Sequence, residues 1–371
     1  MTGPVAIYVH TPFCPSKCGY CDFNSYAMEG EIVERTVQAT IAEIKRSRFR
    51  GRPAKTIFFG GGTPTYLSSS QLTGILEAVV DAHPPVPGAE ITSEGNPGTV
   101  DIPKFADMRQ AGFNRISLGA QSFNTGDLIR LGRVHEASHI GKAIAAARKA
   151  QFENINIDLM FALPGQSIKA WASNLNLAIQ METEHLSLYC LTIEPNTRYY
   201  RLNLRGMLNL PNDDQQVQMY DLAVETCTKA GLSQYEISNF AKPGLESQHN
   251  LAYWRNEEYL AYGPGAVGCF HEKDQTTRYT NIKHPQAYSD AVENDTNLWC
   301  EQDTLTSQDE RMEKIMMGLR LNQGLDPTNL NIDQAGLKKV TQAGWVTQTP
   351  NKITLTPTGR HFCSEVALAL I

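Results

Sequence analysis

The feature that most restricts the fold is an alternation. Six short runs rich in β-branched and apolar residues lie at Ala6–His10, Thr56–Gly60, Glu90–Glu94, Arg115–Gln121, Asn154–Leu163 and His185–Ile193. Between them fall helical patterns at Glu31–Phe49, Ser69–Ala82, Pro103–Ala111, His139–Gln151 and Ser167–Met181. In the first of these, Val33, Val37, Ile41 and Ile44 recur every three or four residues and form one apolar face. Short strands separated by helices predict βα units and a parallel sheet. Six strands are too few for a closed eight-strand barrel, so an incomplete barrel and an open α/β sheet both fit. In either, ligands gather at the carboxyl ends of the strands.

A further helix is expected at Asp213–Ala230, ending at Gly231, then Tyr235–Phe240 and an aromatic- and Gly-rich stretch to Phe270. Ser307–Arg320 reads as a helix with Met312, Ile315, Met316 and Leu319 on one face, and Asp333–Ala343 as another. Trp345–Thr347 and Lys352–Thr356 flank Thr349-Pro350-Asn351 as a hairpin. The expected organisation is a barrel over 1–230, a connecting region over 231–300 and a smaller, mainly helical, winged-helix-like domain over 301–371. From Glu301 onward there are eight acidic and seven Lys/Arg residues. That balance lacks the basic cluster of a nucleic-acid binder, so no nucleic-acid partner is expected.

The net charge of −6 gives no footprint for an anionic membrane surface either. The opening residues carry no basic stretch followed by an apolar one, and no later run is long enough to span a bilayer. A reducing, cytoplasmic setting is therefore expected, in which the eight cysteines serve as metal ligands or buried thiols rather than disulfides. Cys190, Cys227, Cys269, Cys300 and Cys363 are scattered and read as core cysteines.

The other three crowd into His10-Thr-Pro-Phe-Cys14-Pro-Ser-Lys-Cys18-Gly-Tyr-Cys21-Asp-Phe-Asn, between the first strand and the first helix. Thiolates bind soft iron, and a [4Fe–4S] cluster normally takes four protein ligands. Three leave one iron open to a substrate or cofactor. A zinc site or three unrelated thiols are the other readings, but structural zinc sites use four ligands, as two pairs.

CxxxCxxC with an aromatic residue before the last cysteine resembles the signature of the radical S-adenosylmethionine (SAM) superfamily. The resemblance implies an α/β fold with an incomplete (β/α)6 barrel and a [4Fe–4S] cluster on Cys14, Cys18 and Cys21. It also implies SAM chelated at the open iron and cleaved reductively. The turn Gly60-Gly-Gly-Thr-Pro-Thr65 directly follows the second strand, where glycines let backbone approach a ligand. Alone it is a tight turn; beside the cysteine loop, Gly61, Gly62 and Thr63 resemble the family's motif for the SAM amino group. Glu94, Gln121 and Asp158 near strand ends, Arg133 after the fourth strand, and Tyr8 match in order and context the SAM-binding set of one branch. An arginine suits the SAM carboxylate because it binds bidentately. No residue is identified as catalytic.

That branch is the oxygen-independent coproporphyrinogen III oxidase-like family, and the resemblance covers nearly the whole chain. It is carried by Ile7-Tyr-Val-His-Thr-Pro-Phe-Cys14, Phe59-Gly-Gly-Gly-Thr-Pro-Thr65, Glu94-Gly-Asn-Pro-Gly98, Gln121-Ser-Phe123, Leu191-Thr-Ile-Glu-Pro-Asn-Thr197 and His249-Asn-Leu-Ala-Tyr-Trp254. The oxidases resemble CxxxCxxCxC, whereas this chain has Phe23 at the fourth position. His249-Asn-x-x-Tyr253-Trp254 resembles the HNxxYW motif that the family's HemW-type haem chaperones associate with haem. Imidazole is a common haem ligand, and Tyr and Trp offer flat surface with a polar edge. On a helix, His249 and Tyr253 share a face. A structural histidine beside core aromatics is the other reading, and His271 competes as the iron ligand.

The resemblance thus implies a chaperone that binds haem b, a [4Fe–4S] cluster and SAM, and passes haem to an apo-haemoprotein. A transient membrane contact and a homodimer are compatible with that role. The alternative is a radical enzyme acting on a porphyrin, as an oxidase or a haem-modifying methyltransferase.

Overall fold

Residues 3–371 are described by the computed structural model. Strands β1 (Val5–Thr11), β2 (Ala54–Gly61), β3 (Pro85–Gly95), β4 (Arg115–Gln121), β5 (Asn154–Phe161) and β6 (His185–Cys190) pair in that order, all parallel. The crossovers are α1 (Glu31–Arg46), α2 (Ser69–Ala82), α3 (Ile102–Ala111), α4 (Thr125–Leu131) with α5 (Ala137–Lys149), and α6 (Ile168–Gln180). Local signals set their ends. Ser68 and Gln71 cap α2 reciprocally, Asp101 caps α3, and Gly112 ends α3 at φ +116°. Helix α1 has Glu31 and Glu34 in its first turn and Lys45 and Arg46 in its last, which suits its dipole.

Side chains alternate across each strand, so the two faces of the sheet differ. Ile57 and Phe59 on β2, Ile116 and Leu118 on β4, and Ile155, Ile157 and Leu159 on β5 belong to the main core with the helices. Leu72, Ile75, Phe105, Ile140, Trp171 and Leu175 meet them from the helical layer. Each such aliphatic or aromatic side chain contributes about 1.5–3 kcal/mol when fully buried. The expected stripe on α1 packs there too, with Val33, Val37 and Ile44 buried and Ile41 partly so. The opposite face of β2–β6 carries Phe58, Glu94, Arg115, Ser117, Asn156, Asp158, Ser187 and Tyr189. These line a single cavity, so the sheet curls into an incomplete barrel with a polar interior.

The stretch expected to be a connecting region is instead part of the sheet. Following α7 (Arg198–Leu204) and α8 (Asp213–Lys229), β7 (Ser233–Glu236) and β8 (Asn239–Ala241) add antiparallel beyond β6. The chain then passes through α9 (Gln248–Trp254) to the other edge. There β9 (Tyr259–Tyr262) runs parallel to β1, followed by antiparallel β10 (Val267–Glu272), β11 (Gln275–Asn281) and, after α10 (Pro285–Glu293), β12 (Trp299–Leu305). Twelve strands result. β12 crosses the boundary expected at 301, so the C-terminal unit begins with α11 (Ser307–Arg320).

That unit continues with α12 (Gln334–Gln342), hairpin β13 (Val346–Thr349) and β14 (Lys352–Leu355), a short α13 (Pro357–Arg360) and α14 (Cys363–Leu370). It has its own core of Ile315, Leu319, Leu337, Val340, Ile353 and Val366, while Met316 is exposed. All eight cysteines are free. Cys227 and Cys269 are buried as expected, but Cys300 is exposed on the edge strand β12 and is not a core residue. No helix among the described residues is long and apolar enough to cross a membrane.

Candidate functional site

The cysteine loop is held mainly by backbone and buried polar groups, which leaves the thiols at the cavity. Cys14 N–H donates to Tyr26 O and Tyr26 N–H to Pro12 O, at 3.0 and 2.7 Å. Gly19 N–H reaches Leu131 O, and Lys17 Nζ donates to Ser25 Oγ at 2.9 Å. His10, buried beneath the loop, bridges Tyr8 Oη and Asn24 O at 3.0 and 2.8 Å. The glycine turn grips the loop: Gly62 N–H donates to Thr11 O and Thr63 N–H to Phe13 O. A Cβ on Gly61, at φ +106°, would lie 2.3 Å from the His10 ring, and one on Gly62 would lie 2.6 Å from Phe13 O. The glycines therefore also serve the approach of the cysteine loop to β2.

Cys14, Cys18 and Cys21 line the mouth of a cavity of about 400 Å³ together with Gly61, Gly62, Thr63, Glu94, Gln121, Arg133 and Asp158. Arg133 Nη2 donates to Gly119 O at 2.7 Å and Nη1 to Cys18 Sγ at 3.7 Å. Its buried Nε has no partner among the described residues. Gln121 ends β4 at φ +64°, an uncommon conformation for a residue with a side chain. Burial, then the charge of Asp158, pushes the Glu94 carboxyl up to about 8. Burial also raises Asp158, against bonds from Ser117 Oγ at 3.1 Å and Asn156 Nδ2 at 2.7 Å. Burial raises the Cys14 and Cys21 thiols as well, with Thr63 pulling Cys14 back. Phe23, where a fourth cysteine would stand, is 62% exposed at the cavity mouth.

Of the remaining expected residues, Tyr8 does not line the cavity but stacks beside Phe58, which does, and the HNxxYW residues close the opposite end of the barrel. The motif is helical, as α9. His249 is 1% exposed, and both its ring nitrogens are engaged: Nδ1 with Thr56 Oγ1 at 2.8 Å, Nε2 with Tyr253 Oη at 2.9 Å. Its ring stacks on Phe58, with Tyr8 next to it. Burial, with Lys55 and Arg115 nearby, pushes its pKa down to about 3. Glu90 on β3 accepts from the backbone N–H groups of Gln248 and His249, anchoring the start of α9. Trp254 lies under Arg320, whose Cζ is 4.4 Å from the ring centroid. Within the motif, it is Asn250 that reaches the cavity. His271, by contrast, is exposed on β10, with Nδ1 held by Thr276 Oγ1 at 2.6 Å.

Sequence reasoning missed Arg115, Ser117, Asn156, Ser187 and Asn250 as cavity residues. The available signal was polar side chains at every second position within otherwise apolar strands.

The donor set suits a cluster with an open iron. Three thiols share one loop, and a guanidinium beside Cys18 whose Nε has no partner among the described residues matches a carboxylate bound there. Among the described residues, no three His, Cys, Asp or Glu side chains converge as the ligands of one metal ion. In a four-iron cluster each thiolate binds a different iron, so its ligands stand further apart than those of a single ion.

Comparison with known proteins places these features in context. Residues 8–178 match the model of the Radical SAM superfamily. The chain is 34% identical to a heme chaperone HemW from Bacillus subtilis, over 97% of each protein. It is 41% identical to the heme chaperone HemW of Escherichia coli, over 77% of this chain and 75% of that one. The fold is similar to that of coproporphyrinogen III oxidase (HemN) from Escherichia coli, a radical SAM enzyme. That similarity has a TM-score of 0.84 at 22% identity and covers 99% of this chain and 89% of the other.

Proposed function

The chain belongs to the radical SAM superfamily and, within it, to the HemW heme-chaperone family, and from that membership we propose that it binds haem and delivers it to an apo-haemoprotein. The observation that carries this reading is the similarity to heme chaperones along essentially the whole chain. Phe23 in place of a fourth cysteine, and the His249-Asn-x-x-Tyr253-Trp254 helix, support it.

In this reading Cys14, Cys18 and Cys21 hold a [4Fe–4S] cluster, and Arg133, Glu94, Gln121, Asp158, Tyr8 and the Gly61–Thr63 turn hold SAM. The cluster with SAM supplies one-electron chemistry when bound. The protein's own part is to fix the loop over the glycine turn, place a guanidinium beside Cys18 and keep the site partly enclosed. Haem binding depends on His249 through the seat of α9, because ligation by His249 would require Thr56 or Tyr253 to release a ring nitrogen and a ring only 1% exposed to be uncovered. His271 is the more accessible axial ligand. The setting is cytoplasmic, and transfer to a membrane-bound acceptor would use a transient contact. A homodimer fits the same role.

The test is transfer. Protein reconstituted anaerobically and loaded with haemin should convert an apo-haemoprotein to its holo form faster than free haemin at equal concentration. The acid groups of the cavity favour one second reading, a radical enzyme acting on a porphyrin. Turnover of coproporphyrinogen III by the reconstituted protein, without haem transfer, would replace the chaperone reading with that one.

A further inference from the structure

We propose that the floor of the cavity is a carboxylate-binding subsite built on Arg115, distinct from the position at Arg133. Arg115 opens β4, is 2% exposed and lines the cavity. Its buried Nε has no hydrogen-bond partner among the described residues. Only Glu90 comes within ion-pair range there, and at 4.0 Å it is at the limit. That carboxylate is already committed to α9, accepting from Ser247 Oγ and from the N–H groups of Gln248 and His249 at 3.4, 2.9 and 3.1 Å.

The other acids of the cavity do not satisfy Arg115. Asp158 accepts from Ser117 and Asn156, and Glu94, pushed up to about 8, keeps its proton at neutral pH. Arg133, by comparison, already spends one nitrogen on Gly119 O. A buried guanidinium held only by one long ion pair is costly, and one that lines a cavity is matched best by a bidentate carboxylate. Asn250 lines the same cavity and can complete the contact through its amide donors, whereas those of Asn156 and Ser117 are committed within the cavity wall. The HNxxYW helix thereby acquires a role in this subsite: His249 locks α9 in the barrel, and the next residue helps form the floor.

The carboxylate is a propionate of a tetrapyrrole, since the amino-acid end of SAM is already placed at the open iron beside Arg133; that the tetrapyrrole is haem rests on the chaperone reading. The experiment measures binding to anaerobically reconstituted wild type, Arg115→Gln and Arg115→Lys. The probes are haemin, haemin dimethyl ester, coproporphyrin III and its tetramethyl ester, with SAM as a control. Losing a charge-assisted contact of this kind costs roughly tenfold or more in affinity. The expected result is that Arg115→Gln loses that factor for the free acids, while the esters and SAM bind wild type and variant alike. Arg115→Lys should recover part of the loss. Absence of haemin binding in wild type would remove the chaperone reading, and coproporphyrin III then decides the subsite. If Arg115→Gln does not fold, the wild type and Arg115→Lys decide. Equal binding of each acid and its ester to wild type, or unchanged affinities for the acids in the variants, would overturn the proposal.

Discussion

At the mouth of the cavity, Cys14, Cys18 and Cys21 ride on a loop whose backbone is pinned by Tyr26, Leu131, Gly62 and Thr63, while the thiols themselves stay available. At the floor, His249 is closed in on all sides, with both nitrogens bonded and its ring stacked on Phe58. Both places carry residues that resemble family motifs, yet only the mouth leaves its key atoms free to take a ligand. The difference teaches that a motif can act in two ways. One presents atoms to a cofactor; the other positions the wall that the ligand meets, here through Asn250 beside Arg115.

The largest effect should fall at the mouth. Cys18→Ala should eliminate the four-iron cluster while leaving the fold intact, since Cys18 is partly exposed and, among the described residues, its thiol bonds only at long range to Gly132 O and Arg133. Iron and sulfide analysis after anaerobic reconstitution checks this; wild-type iron content would break the ligand assignment. Next, Arg133→Ala should weaken SAM binding by about ten- to a hundredfold, the loss of a charge-assisted contact. Calorimetry that gives equal affinity would assign the SAM carboxylate elsewhere.

At the floor the expected effects are on stability first. His249→Ala removes two buried hydrogen bonds and a stacked ring, so denaturant unfolding should show a loss of about 2–4 kcal/mol. Cluster content should stay near that of wild type. A variant as stable as wild type would mean that α9 does not depend on His249, and the contrast between mouth and floor would fail.

The smallest change per pH unit is a slope in stability. His249 titrates near 3 when folded and at an ordinary 6.5 when unfolded. Between those values the unfolded state binds more protons, so stability falls as pH drops through that window. The contribution is at most about 1.4 kcal/mol per pH unit. It is fully present above the unfolded pKa. His249→Gln should flatten the acid limb of a stability profile, and an unchanged slope would indicate that the ring is protonated in the folded protein.

Much of the mouth was legible in the sequence because its signals are local. Spacing of three cysteines, a glycine run after a strand and polar residues at strand ends are all read within a few positions. The six parallel strands were legible for the same reason, since Val, Ile and Phe alternate with helical stripes. The second edge of the sheet was not. β12 is exposed along most of its length and β11 is rich in threonine, so neither carries an apolar period. Their pairing is decided by long-range contact with β10 and β9. The floor stayed hidden because Arg115 and Asn250 are 135 positions apart by their numbers and line one cavity only when α9 enters the barrel. Nothing local in the sequence reveals Thr56 as the partner of His249, which is why the haem-facing and the structural readings of that histidine both fit the sequence.

The most direct test is a titration of haemin into the anaerobically reconstituted wild-type protein, followed at the Soret band. The account predicts saturable binding with a band distinct from that of free haemin, and a lower affinity in His249→Ala. A spectrum that tracks free haemin throughout the titration, in both proteins, would contradict the haem-chaperone reading.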